Sequence, residues 1–157
     1  MNYSDEKFAD IQMLRYRLNG FEQLSLNQKQ YVYCLAKATL CGRDITTDQF
    51  GRYNLKIRKL LEALYLIYKE QPEVLGLKEL SQQKQELSQQ EQFEAMTVYL
   101  KRVWFSNGIH HHYGCDKFKP QFSESWFRSI IARSAAKLAS KLGVASGDEV
   151  MEWCAPL

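Results

Sequence analysis

Three consecutive histidines, His110, His111 and His112, are the residues in this sequence whose type most directly suggests chemistry. Imidazole nitrogens are common zinc ligands, but a zinc site needs ligands that converge from separated positions. On an extended strand only the first and third of these side chains share a face. No glutamate directly follows any of the three, and the chain has no other histidine. We therefore predict a polar loop that lines a cleft, and no metal site built from this run.

Nucleophilic catalysis has one weak candidate, Cys115, which follows Gly114 close to the histidines. A Cys/His pair can form a nucleophilic centre, but it needs a third group to orient the base, and none is visible here. The sequence also contains no Gly-x-Ser-x-Gly motif and no glycine-rich phosphate-binding motif. We predict no catalytic residue and no metal ligand in this chain.

Composition excludes several classes of protein. The 157 residues carry 21 basic and 18 acidic side chains, a net charge of +3, which is too balanced to indicate a nucleic-acid partner. No unbroken apolar run is longer than that from Ala63 to Tyr68, which is far shorter than the ~20 residues of a membrane span. No signal peptide is present, which favours the cytoplasm and leaves open an export signal upstream in a longer parent protein.

The elements that must position these residues are mainly helical. We expect a first helix from Ser4 to Leu18 and a loop from Asp44 to Tyr53. Ser25 and Gln28 fit a capping box that opens a helix near 26–41, with Cys34 and Cys41 as small buried residues. Apolar side chains recur at helical spacing in three further helices, near 55–69, 93–105 and 124–138. Their predicted buried faces contain Ile57, Leu60, Leu61, Leu64, Ile67 and Tyr68, then Phe93, Met96, Thr97, Leu100, Val103 and Trp104, then Phe127, Ile130, Ile131 and Leu138.

Two segments depart from this pattern. Residues 78–92 are polar and rich in glutamine, and we expect an exposed helix there. Residues 106–120 begin with the turn signal Ser106-Asn107-Gly108 and have no helical periodicity, so we expect an extended loop or a short strand. The predicted fold class is therefore mainly α.

Several runs resemble the dipeptidyl peptidase III family in its Bacteroidetes branch. The most specific is Tyr99-Leu100-Lys101-Arg102-Val103-Trp104-Phe105-Ser106-Asn107-Gly108-Ile109-His110-His111-His112-Tyr113, followed by Asp116-Lys117-Phe118 and Pro120. The others are Phe8 to Tyr16, Gly42 to Ile45, and Tyr53 to Arg58. The similarity extends over most of Lys7 to Phe122.

The resemblance implies a zinc-dependent enzyme that releases dipeptides from the N-termini of oligopeptides and has two lobes with a cleft between them. Family members carry His-Glu-x-x-Gly-His and a more distant glutamate, and this chain contains no His-Glu pair. Residues 1–157 are therefore expected to be a single N-terminal fragment of a longer enzyme. They would form the helical part of the lobe opposite the zinc lobe. The fragment alone would be inactive and bind no zinc, and its partners would be an oligopeptide substrate and the zinc-carrying lobe.

The resemblance also implies a role for the loop. The family stretch that matches Ser106 to Phe118 runs beside the cleft and helps to shape the pocket for the substrate's N-terminal residues. The residues expected to contact substrate are Asn107, His111, His112, Tyr113 and Gly114.

Two other classes of function stay open at this point. The chain could be a non-catalytic helical module that binds peptides or acts as a scaffold, or an unrelated all-α interaction domain. The presence or absence of His-Glu-x-x-Gly-His further along the gene would separate the first of these from the enzyme.

Overall fold

A computed structural model of the chain describes residues 3–72 and 88–153. The chain folds into two compact units, Met1–Thr46 and Thr47–Leu157. The secondary structure is mainly helical, which confirms the predicted fold class. Within the described ranges, none of the helices combines the length and apolar character needed to cross a bilayer.

The first unit opens with a β-hairpin in place of the predicted first helix, so that prediction is wrong. Strand β1 (Ser4–Phe8) pairs antiparallel with β2 (Ile11–Leu14), with Phe8 opposite Ile11. The chain reverses at Ala9, whose φ of 48° lies in the left-handed region and is incompatible with a continuous helix. A short 3₁₀ turn, Phe21–Gln23, follows the hairpin.

Helix α1 (Leu26–Cys41) matches the predicted bounds, and the Ser25–Gln28 capping box is present. Its predicted burial is wrong, because none of its residues is buried. Its large apolar side chains are exposed, with Tyr31 at 66% and Leu35 at 48%. Cys34 and Cys41 are likewise exposed rather than buried.

Helix α2 (Arg43–Gln49) overlaps the stretch predicted to be a loop, so that prediction is wrong for residues 44–49. Asp44 lies in its first turn, where a negative charge complements the helix dipole. Thr47 on this helix is 1% exposed, and its hydroxyl accepts a 2.8 Å hydrogen bond from the Arg58 guanidinium. This helix is too short to show a periodic pattern in sequence, and its buried contact is with a residue 11 positions further along the chain.

The core of the second unit contains the three predicted amphipathic helices. They are α3 (Asn54–Glu70), α4 (Gln89–Ser106) and α5 (Glu124–Leu142), and a short α6 (Gly147–Trp153) follows. Most of the predicted faces are buried, and they form one apolar cluster. Trp104 is the clearest exception: it is 45% exposed, and its indole N–H donates to Glu62 at 2.7 Å.

The start of α4 overlaps the glutamine-rich segment, of which residues 78–87 lie outside the described residues. Ser88 caps α4 in a reciprocal pair with Glu91. Gln92 is 4% exposed, and its amide oxygen accepts from the backbone N–H of Ser123, the residue that caps α5. The described end of this segment therefore includes a buried polar contact between two helix N-termini.

Candidate functional site

The loop begins where α4 ends, and its first turn has a well-defined geometry. Asn107 takes a left-handed conformation with φ of 54°, which asparagine tolerates better than most residues. The backbone N–H of Gly108 donates to the carbonyl oxygen of Val103 at 3.0 Å. This contact satisfies a carbonyl at the end of the helix and redirects the chain into the loop.

Asn54, in the first turn of α3, holds this turn from the opposite side. Its side-chain Oδ1 accepts from the Ile109 N–H at 3.3 Å, and its Nδ2 donates to the Asn107 carbonyl at 3.5 Å. Asn54 is only 2% exposed, so these contacts are made away from water. A polar residue at the start of a buried helix face thereby fixes the loop against α3.

Beyond this turn the loop is closed by pairing of its own backbone. The Phe118 N–H donates to Ile109, and the His111 N–H donates to Asp116, both at 2.8 Å. Ile109 and Phe118 are 4% and 8% exposed and belong to the apolar core. The segment is therefore an extended, anchored loop, as expected for residues 106–120.

The loop carries a group of stacked rings. The ring centroids of His111 and His112 lie 4.5 Å apart, with 23° between their planes. Phe105 meets His112 edge to face at 4.7 Å, and Tyr113 lies 4.1 Å from His112 on the centroid distance. The His111 Nδ1 accepts from the Tyr113 N–H at 3.2 Å, which leaves the other ring nitrogen of a neutral His111 as its donor.

A pocket of about 290 Å³ opens beside these rings within the second unit. Three predicted substrate-contacting residues, His111, His112 and Gly114, line it. Its lining is drawn from the connection between α2 and α3, the start of α3, the end of α4 and the loop, and consists of Phe50, Asn54, Ser106, Gly108, His110, His111, His112, Gly114 and Cys115. The pocket thus brings together more residues than the five that were predicted to contact substrate.

Asn107 and Tyr113 are not among these lining residues. Asn107 caps the C-terminus of helix α4, and its carbonyl accepts from the Asn54 side chain. Tyr113 is 89% exposed, so its ring is accessible to solvent on the outside of the loop. If either residue binds a peptide, it therefore does so outside this pocket.

Asn54 and Ser106 are the lining residues whose burial the sequence pattern could have predicted. Asn54 precedes Ile57 by three positions and Ser106 follows Val103 by three, so both continue a predicted buried helix face. They are 2% exposed each. A polar side chain at the end of an apolar face is the signal that was available for both.

The histidines belong to no metal-binding cluster within the described residues. Among the side chains that the structure describes, no three or more of His, Cys, Asp and Glu are grouped so that they could hold a metal ion. The His111 and His112 rings stack on one another, and the His111 Nδ1 already accepts from a backbone N–H. This set of described side chains therefore does not fit a catalytic zinc.

The chemistry available in the pocket is hydrogen bonding by uncharged or imidazole groups. Ser106 offers a hydroxyl, Asn54 an amide, and the three histidines ring nitrogens. Such an arrangement can bind and orient a polar ligand in a preformed site. No protein-family model matches this chain, and no curated protein matches it.

Proposed function

We propose that this chain is the N-terminal, substrate-side part of a zinc-dependent dipeptidyl peptidase of the dipeptidyl peptidase III family. The parent enzyme would release dipeptides from the N-termini of oligopeptides. The proposal is supported by the long run that resembles the family, Tyr99 to Tyr113, together with the mainly helical fold around it. Its role in catalysis would be to hold the peptide, since the chain lacks the family's zinc motif.

The observation that carries the proposal is the anchored loop of residues 106–118. Buried Ile109 and Phe118 fix it to the core, and its histidines line an open pocket of about 290 Å³. A rigid loop that presents hydrogen-bonding rings is suited to orient an extended substrate, because little conformational freedom is lost on binding. Positioning of this kind lowers the barrier of a reaction that occurs at a distance from the contact.

Zinc in this proposal belongs to the part of the polypeptide that carries His-Glu-x-x-Gly-His. When bound there it would polarise the scissile carbonyl and activate a water molecule. The loop residues contribute binding and orientation only, and the remaining zinc-carrying lobe is the main partner of this chain.

The test compares this chain with the longer polypeptide encoded by the same gene. We expect the downstream sequence to contain His-Glu-x-x-Gly-His, and the longer protein to release dipeptides from a chromogenic dipeptidyl substrate in a chelator-sensitive manner. Purified residues 1–157 should show no release and no stoichiometric zinc by elemental analysis. Replacing the glutamate of the downstream motif with alanine is the matched control. Chelator-sensitive dipeptide release by residues 1–157 alone would contradict the proposal.

A second candidate, a non-catalytic scaffold or peptide-binding module, is favoured by the exposed surface of α1. This helix of 16 residues buries none of them, and helices in proteins gain most of their stability from the packing of a buried face. A partner that covers Tyr31 and Leu35 would stabilise it. An intact reading frame downstream with no zinc motif would select this alternative over the enzyme.

A further inference from the structure

The lining of the pocket contains two buried polar atoms with unmet hydrogen-bonding capacity. The Ser106 hydroxyl and the His112 Nδ1 have no hydrogen-bond partner among residues 3–72 and 88–153. Ser106 is 2% exposed, so its hydroxyl is shielded from bulk water. A buried polar group without a partner is unfavourable, and a ligand that supplies one gains binding free energy.

The charges of the lining side chains indicate the kind of ligand. Of the nine residues that line the pocket, none is Asp, Glu, Lys or Arg. The loop's charged residues nearest in sequence, Asp116 and Lys117, are exposed and lie outside that lining. Neither an ammonium nor a carboxylate would find a counter-charge here. Two acceptors of the lining, the Asn54 Oδ1 and the His111 Nδ1, already accept from backbone N–H groups, whereas the hydroxyl, amide and imidazole N–H groups can donate to a carboxylate.

The partial charges of the helix ends beside the pocket do not change this preference for an anion. Helix α3 begins at Asn54, which places its positive end near the site, and α4 ends at Ser106, which places its negative end there. The two partial charges are opposite and of similar size, so the side chains decide the preference. The Val103 carbonyl at the end of α4 is already bonded to the Gly108 N–H.

We infer that this pocket binds the carboxylate of an acidic side chain, Asp or Glu, of the bound peptide. The inference rests on the proposed function, because it takes the ligand to be a peptide. The volume of about 290 Å³ is large enough to hold one such side chain. The Ser106 hydroxyl donates to the carboxylate, and the imidazoles of the loop donate the remaining hydrogen bonds.

The inference is tested by titrating the ¹⁵N-labelled 157-residue chain with three peptides and following its amide resonances. The peptides are acetyl-Gly-Glu-Gly-amide, acetyl-Gly-Lys-Gly-amide and the free acid acetyl-Gly-Gly-Gly. We expect the glutamyl peptide to bind at least tenfold more tightly than the lysyl peptide. The largest shifts should fall at Asn54 and within residues 106–115.

Two serine variants provide a matched comparison. Ser134 in α5 is also buried and its hydroxyl also has no partner in the described part of the chain, but it does not line the pocket. Ser106→Ala should weaken binding of the glutamyl peptide at least fivefold, and Ser134→Ala should leave it unchanged. An equal effect of both substitutions would overturn the assignment of Ser106.

The remaining outcomes each overturn the inference. Equal or tighter binding of the lysyl peptide would show that the pocket does not select an anion. Tighter binding of the free acid would assign the site to a chain-terminal carboxylate. Binding of none of the three would show that the pocket takes no carboxylate from a peptide. Failure of the proposed function would appear separately, as absence of dipeptide release by the longer protein.

Discussion

The side-chain amide of Asn54 packs directly against the backbone of Gly108. A Cβ placed on residue 108 would lie 2.6 Å from the Asn54 Cγ, which is closer than real carbon atoms approach. The same amide accepts from the next backbone N–H, that of Ile109, at 3.3 Å. The start of α3 and the start of the loop therefore fit together only when residue 108 has no side chain.

Gly108→Ala is expected to destabilise the protein. Asn54 cannot simply move away, because it is 2% exposed and a shift would break its bond to Ile109. We expect a loss of about 1–3 kcal/mol, which is typical of overpacking a tight site. Chemical denaturation of the wild-type and variant chains measures the difference in the free energy of unfolding.

Gly114→Ala is the matched control in the same loop. A Cβ at residue 114 would meet no heavy atom within 4 Å, although Gly114 also lines the pocket. Its free energy of unfolding should stay within about 0.5 kcal/mol of the wild type. Equal destabilisation by the two substitutions would show that the contact with Asn54 is not the cause.

Leu64→Ala and Leu100→Ala should each lower the free energy of unfolding by about 2–5 kcal/mol. Leu64 and Leu100 are 0% and 1% exposed, so each truncation removes packed methyl groups and leaves a cavity. Leu66, also on α3, is 48% exposed, and Leu66→Ala should cost only on the order of 0.5 kcal/mol. Thermal or chemical denaturation of the three variants checks the assignment, and a large loss for Leu66→Ala would contradict it.

The helices of the second unit were predictable because burial and periodicity coincide in them. The predicted apolar positions of α3 that precede Ile67 are each 0% exposed, and the predicted face is the buried face. The hairpin was not predictable by the same means. Phe8, Ile11 and Leu14 are spaced as on a helix, and the reversal at Ala9 lacks the Asn-Gly signal of a tight hairpin. For α1 the predicted helix is correct and its predicted burial is wrong. A capping box determines where a helix starts, but it does not determine which parts of the chain pack against that helix.

The candidate site was predicted in part. The loop and its histidines stand out in the sequence because apolar periodicity stops at Phe105. Asn54 was not identified, because it is more than fifty residues from the loop and only the fold brings it there. Ser106 was identified as a turn residue, whereas the structure buries it at the end of α4. The local sequence pattern does not determine which distant segments of the chain lie side by side in the site.

Tyr99→Phe tests the buried hydroxyl on α4. Tyr99 is 3% exposed, and its hydroxyl has no hydrogen-bond partner within the described ranges. Removing it should leave the free energy of unfolding at neutral pH unchanged or raise it by about 1 kcal/mol, because a buried unsatisfied group is lost. Destabilisation by more than about 1 kcal/mol would show that the hydroxyl makes a favourable contact.

The same residue predicts a difference at alkaline pH. Burial raises the pKa of Tyr99 above its ordinary value of about 10. The folded state therefore keeps the proton over a range in which the unfolded state releases it. Stability should be unaffected by this group below about pH 10 and should fall as the pH rises above it. Tyr99→Phe should show a shallower alkaline fall than the wild type, and identical slopes would contradict the assignment.

The Tyr113 ring is 89% exposed, and its centroid lies 4.1 Å from that of the His112 ring. Under the proposed function the exposed ring packs against the substrate's N-terminal side chains, at a distance from the bond that is cut. Tyr113→Ala in the full-length enzyme should lower kcat/KM by at least about tenfold, since one good aromatic contact contributes on the order of 1–2 kcal/mol.

The melting temperature should hardly change in this variant, because the truncation removes little buried surface. Tyr16→Ala, at a tyrosine that is 79% exposed and lies outside the loop, is the control and should leave kcat/KM unaltered. Steady-state kinetics and thermal melting of the two variants distinguish substrate binding from a structural role. An unchanged kcat/KM with a lowered melting temperature would show that the Tyr113 ring anchors the loop and does not contact the peptide.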